Sequence, residues 1–201
     1  MSKIKFIVSG FILLFLLSFK SDKLPKDFSE LLTRAKITFI RPEGMMEVKC
    51  IENRQMNYEY ALKSKDKNFE VRYAIRPMDN KLKEYAEAKK RGDLMIHPNN
   101  WKETVFQATL LNIGIGGSDS HQLPNITFFD STAVRKEFNA DWGATAFANL
   151  GPEFGGDTYK YCIAVTIHKD FVGDAYFFYV SDNRDDIGAL MEKPFHSLKF
   201  K

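Results

Sequence analysis

Period-two alternation dominates the middle of the chain. Phe69, Val71, Tyr73 and Ile75 alternate with Glu70, Arg72, Ala74 and Arg76, which predicts a strand with one apolar and one wet face in an antiparallel sheet. Met46, Val48 and Cys50 alternate in the same way, as do Met56, Tyr58, Tyr60 and Leu62. The polar stretch Ser64–Asn68 between two such runs predicts a hairpin loop. On the wet face Glu59 and Glu70 should pair with Arg72 or neighbouring cations, as ordinary sheet surface. Tyr159, Tyr161, Ile163, Val165 and Ile167 give a further strand, while Ala175–Val180 is apolar at every position. A strand apolar on both sides is covered on both sides, so this hairpin should lie at the centre of the sheet.

Helical spacing takes over between these runs. Asp27-Phe-Ser-Glu30 reads as a capping box with Asp27 at the N-cap, followed by Phe28, Leu31, Leu32 and Ala35. Asp79 opens a helix that Gly92 closes, with Leu82, Tyr85, Ala86 and Lys89 as its inner stripe. Asn100 opens another, expected to pack through Trp101 and Val105 and to fail at Gly114. Thr132–Phe138 and Asp185–Glu192 are short helices on the same reasoning. Mixed strands and helices in this order predict an α+β fold, with helices packed on an antiparallel β-sheet.

The first 20 residues follow neither period. Lys3 and Lys5 precede an apolar run of 14 residues from Phe6 to Phe19, short of the roughly 20 that span a bilayer. This is the pattern of a signal peptide, with Ser18 or Ser21 near the cleavage point; an uncleaved anchor is the alternative. The expected organisation is a signal at residues 1–20, a linker at 21–26 and a single domain over 27–201. The expected location is periplasmic or extracellular, with no membrane span in the mature form.

Charge changes once the signal is set aside. The chain holds 29 Lys and Arg against 26 Asp and Glu, but residues 1–20 carry Lys3, Lys5 and Lys20 and no acid. The remainder is neutral, and without a basic stripe nucleic acid is not an expected partner. Cys50 and Cys162 are too few for a disulfide framework. Export permits a bridge between them, and burial as free thiols is the other reading.

Chemistry-bearing motifs are sparse. Gly114-Ile-Gly-Gly-Ser-Asp-Ser-His121 is glycine-rich, but it lacks the Gly-Lys-Ser/Thr of a phosphate loop and follows a helix rather than a strand. His97, His121, His168 and His196 stand in no metal-binding spacing. Asp119 with His121 gives a binding candidate of two groups, short of the three or four ligands a metal site needs. Neither a GxSxG elbow nor an SxxK motif occurs. Glu137 and Asp141 beside Trp142 could form a carboxylate pair over an aromatic floor, as in carbohydrate hydrolases. Asn125-Ile-Thr127 is a formal glycosylation sequon.

The turn Arg41-Pro-Glu-Gly44 after the first strand, the long hairpin and the closing Ser197-Leu-Lys-Phe200 resemble the layout of the Mog1/PsbP-like superfamily over most of residues 25–200. The resemblance implies an α/β sandwich and an accessory or binding role, with no shared catalytic residues to carry over. The expected function is therefore an exported, non-enzymatic accessory or binding protein of the cell envelope, and the alternative a secreted carbohydrate hydrolase using Glu137 and Asp141. No cofactor or metal is expected. The partner would be an envelope protein or small ligand, met by the sheet and the loop from Asn112 to Phe129.

Overall fold

Gly173–Ser181 (β8) holds the middle of the sheet, and every one of its residues is buried. The computed structural model describes residues 23–118 and 122–201. β8 pairs on one side with Tyr161–Lys169 (β7) and on the other with Phe69–Pro77 (β4). Outward from β7 come Trp142–Asn149 (β6) and Ile126–Phe128 (β5); outward from β4 come Tyr60–Ser64 (β3) and Met45–Glu47 (β2). All pairings are antiparallel. A second, two-stranded sheet joins Ile37–Phe39 (β1) to Leu198–Phe200 (β9) near the chain terminus. The fold is α+β, with the central hairpin where its double-sided apolarity puts it.

Both faces of the sheet are covered. On the first lie Lys26–Arg34 (α1), the β1–β9 pair, Ser131–Phe138 (α4) and Ile187–Met191 (α6), closing over Tyr73, Phe177, Tyr179 and Val165. On the second lie Lys102–Gly114 (α3) and Pro152–Gly155 (α5), over Ala74, Ala144, Ala164, Tyr176 and Phe178. Alanines at 144, 146, 148 and 164 on this face present little side chain, so helix and sheet can approach closely.

Several expectations change. β4 has no wet face: Phe69 through Ile75 are all buried, including Glu70 and Arg72. The cause is the second layer, which covers what alternation alone leaves to solvent. α3 docks through Phe106, Leu110 and Ile113, while Trp101 and Val105 face outward. Apolar residues lie all round that helix, so spacing cannot choose its inner side. Asp79–Arg91 (α2) ends at Gly92 in the left-handed conformation, φ 83°, where a residue without a Cβ is favoured. Of α2, however, only Ala88 is buried; Leu82 and Tyr85 are half-buried, Ala86 and Lys89 are exposed, and the helix rests mainly on the 3₁₀ turn Pro98–Trp101.

The caps also differ. α1 starts at Lys26 after Pro25, with Asp27 inside its first turn. The His97 side chain, rather than Asn100, accepts the N–H of Asn99 at the start of the 3₁₀ turn. Residues 48–59 are irregular, leaving β2 and β3 shorter than the alternation suggests.

Candidate functional site

The glycine-rich stretch after α3 is explained by backbone crowding. A Cβ on Gly117 would stand 2.9 Å from the Leu150 carbonyl oxygen, and one on Gly151 would overlap the Ile115 oxygen at 1.8 Å. The Gly151 N–H donates to the Ile113 carbonyl at 2.8 Å. Only bare backbone fits here, so the end of α3 is locked against the end of β6. Those glycines serve close approach of two chain segments.

That lock shapes a cleft of about 220 Å³ beside β6. Its apolar wall comes from Leu110, Leu123, Pro124 and Phe147, and its polar groups are Gln122, Asn125, Asn149 and Arg184. The Arg184 guanidinium lies over the Phe147 ring, 4.4 Å from its centroid, and makes no ion pair among the described residues. A ring fixes the plane of a guanidinium while leaving its N–H edge open, the geometry that suits bidentate capture of a carboxylate or similar anion. Gln122 and Asn125 belong to the expected Asn112–Phe129 contact loop.

A second polar cluster lies under the β7–β8 turn. The hairpin register sets His168 opposite Asp174. The buried His168 ring meets Asp174 Oδ1 through Nδ1 at 2.6 Å and Asp170 Oδ1 through Nε2 at 2.9 Å. Each ring nitrogen thus faces a carboxylate oxygen. Asp141 Oδ2 accepts the Asp170 backbone N–H at 3.0 Å, and Asn99 Oδ1 accepts that of Phe171 at 3.0 Å. Five side chains from three segments thus fix one turn. Listing the histidines singly hides this; the hairpin's pairing, which places residue 168 against 174, is the signal that finds it.

A third group is the buried Arg72. Its Nε donates to Glu70 Oε1 at 2.6 Å and its Nη1 to the Phe154 carbonyl. The rings of Tyr58, Phe154 and Tyr159 surround its guanidinium, with centroids 5.0, 4.9 and 5.6 Å away. Burial, reinforced by the nearby Glu70 charge, pushes the Tyr159 phenol far above its ordinary range. The enclosure is complete, and it reads as an internal strut.

The described sequence candidates lie between the end of α4 and the start of β6. Glu137 is exposed on α4, with Oε2 3.1 Å from His196 Nε2. It borders an apolar groove formed with Phe128, Phe129 and Phe195. Asp141 instead serves the β7–β8 turn and lies 3.8 Å from Arg135. Trp142 is half-buried, its ring 6.0 Å from that of Phe128. Each carboxylate thus has partners of its own. Asp119 and His121 lie outside the described residues.

Cys50 and Cys162 are both free, and burial raises both thiols. Among the described residues no three His, Cys, Asp or Glu side chains converge to hold a metal ion, and no helix is long and apolar enough to cross a membrane. Compared with known protein families, curated proteins and solved structures, the chain matches none.

Proposed function

We propose that the protein is an exported accessory protein of the cell envelope that works by binding, and that its ligand or partner meets it at the cleft between the end of α3 and β6. The observation that carries this reading is Arg184: an exposed cation without an ion partner among the described residues, lying over the Phe147 ring in a cleft that side-chain amides also line. Such an arrangement suits a group bearing a carboxylate or comparable anionic oxygens, offered by a small ligand or by an envelope protein. The positive n-region and apolar run of residues 3–19 support export. Helices laid on an antiparallel sheet support kinship with the Mog1/PsbP-like superfamily, whose members the resemblance casts as accessory proteins.

The test pairs capture from envelope extract with an Arg184→Ala variant. The wild-type chain should retain a partner that R184A holds at least about tenfold more weakly, a difference of ~1.4 kcal/mol. Capture indifferent to Arg184, or turnover of a defined substrate by the purified chain, would overturn the proposal. The intact mass of the native protein tests export separately: a form lacking the first 18 to 21 residues is expected.

A further inference from the structure

The connection between α2 and α3 exposes what most chains hide. Leu94 is fully exposed, and Met95 and Ile96 are about half exposed at 47% and 53%. The connection is neither helix nor strand, and it places three exposed apolar side chains next to one another. Trp101 follows at 44%. The His97 ring lies between Tyr85 and Phe171, with centroids 4.8 and 5.2 Å away. Asn99 holds the Phe171 backbone N–H. The β7–β8 turn therefore stands beside this segment and adds Phe171, itself 63% exposed.

Phe171 is the more telling residue. Its φ is +62°, the left-handed region that glycine or asparagine occupies readily and a bulky aromatic rarely does. Its ring gains little from the core. Neither backbone comfort nor burial accounts for phenylalanine here, yet the His168 cluster described above holds the turn that displays it. Strain kept in place by several hydrogen bonds is a mark of functional sites.

Charge points to the occupant. Charge runs through the same region: α2 ends in Lys89, Lys90 and Arg91, directly before the exposed Leu94. From Lys81 to Lys102 there are six cations against three anions, in a chain that is neutral beyond residue 20. The anions are Glu84, Glu87 and Asp93, of which Asp93 pairs with Arg91 at 2.9 Å. Lys102 lies 4.0 Å from Asp170, on the turn side.

We infer that the Leu94–Trp101 segment and the Phe171 turn form a docking tip for an anionic lipid surface. Leu94, Ile96 and Phe171 enter the acyl boundary, Trp101 sits at headgroup level, and Lys89 and Lys90 meet lipid phosphates. Exposed apolar side chains directly beside the exposed cations Lys89 and Lys90 match the acyl boundary and phosphates of an anionic bilayer, which favours that surface over a rigid protein partner. The inference uses a different surface from the cleft and does not depend on it.

The test uses the full chain carrying Trp142→Phe, which leaves Trp101 as the single indole of the two in the sequence. Phosphatidylcholine vesicles containing phosphatidylglycerol should shift Trp101 emission to the blue and expose it to brominated-lipid quenching, whereas pure phosphatidylcholine should not. Because the reporter sits in the tip, insertion of the apolar run at residues 6–19 does not imitate the response. Lys89→Gln and Lys90→Gln should each weaken it about fivefold, and the double change Leu94→Glu/Ile96→Glu at least tenfold. Phe171→Asn should raise the melting temperature while weakening vesicle binding, a divergence that a purely structural role would not produce. Vesicle sedimentation of the wild-type chain and the same tip variants gives a second reading should Trp142→Phe fold poorly. A Trp101 that ignores the anionic lipid, responds equally to neutral vesicles, or is unmoved by Leu94→Glu/Ile96→Glu would overturn the inference. So would a blue shift that grows with protein concentration without lipid, which would make a second copy the partner.

Discussion

The two faces of the central sheet are built from different materials. The first is aromatic and uncharged: Tyr73, Phe177, Tyr179 and Phe69 form a run of rings at centroid separations of 5.9, 5.9 and 6.3 Å along β4 and β8. Phe28 of α1 and Phe138 of α4 extend it on either side. The second face alternates alanines with rings, and the buried ionisable side chains Glu70, Arg72, His168 and Asp174 all alternate in phase with its residues. One face contributes stability through burial of large apolar surface. The other gives up part of that gain to hold charges in fixed positions.

The difference teaches where to look for function. On the first face the polar contact of note is the buried Tyr73 hydroxyl with Ser197 Oγ at 3.1 Å. On the second face, His168 and Asp174 fix the turn that raises Phe171, and the alanines of β6 bring α3 close enough to shape the Arg184 cleft. Arg72 shows the cost of this plan. Its Nη2 is buried with no hydrogen-bond partner among the described residues, and an unmet donor offsets part of what its Glu70 pair contributes.

The contrast breaks first at Phe177. Removing its buried ring should cost about 3–5 kcal/mol, measured as a shift in chemical denaturation midpoint. Phe178→Ala on the opposite side should cost less, because the small alanines around it let the layer settle. Equal losses would mean that the two faces are equally well packed. Arg72 breaks the contrast from the other side. Arg72→Met strands Glu70 as a buried charge and should cost about 3–4 kcal/mol. The double change Glu70→Gln/Arg72→Met should recover most of that loss, since no buried charge is then left without a partner. Failure to recover would show that the ion pair itself stabilises the fold.

This asymmetry also explains what the sequence discloses. β8 is legible because apolar residues on both sides have one physical solution, a central strand. β4 misleads because Glu70 and Arg72 look like wet-face residues. Their burial needs Tyr58, Phe154 and Tyr159, and Phe154 and Tyr159 lie more than 80 positions further along the chain. The helix boundary at Gly92 is legible from local chemistry alone, whereas the face of α3 is decided by tertiary packing. Glu137 and Asp141 are close in sequence with the end of α4 between them, and the contacts each makes, with His196 and with the β7–β8 turn, come from segments their spacing does not disclose. Arg184 carries no local signal, since its meaning depends on Phe147 reaching it from β6.

His168 refines the comparison at smaller scale. His168→Gln offers one amide nitrogen where the ring presents two on opposite sides, so it cannot reproduce both carboxylate contacts and a loss of about 1–3 kcal/mol is expected. Amide exchange should quicken at Asp170 and Phe171 while the first-face residues of β8 stay protected. Uniform exchange across the sheet would mean that the cluster supports the whole fold rather than one turn.

The smallest expected effect concerns Cys162, which lies on the second face among alanines. Burial raises its thiol far above the ordinary range of about 8.5, so the native state holds it protonated and out of reach of alkylating reagents. The sign of the pH effect follows: a group whose native pKa is raised contributes full stability below its unfolded pKa. That contribution falls as pH climbs beyond it, by about 1.4 kcal/mol for each unit until the native value is reached. Buried Tyr73 and Tyr176, also raised, add the same trend above about pH 10. Between the thiol and phenol ranges the wild-type chain should therefore lose stability with pH, and Cys162→Ala should flatten that slope. In a Cys50→Ser background, alkylation of Cys162 should follow opening of the second face. Labelling that precedes exchange on β4 and β8 would show that the alanine-lined layer opens before the aromatic one. Labelling that coincides with global unfolding would show that the two faces, for all their difference in composition, open as one.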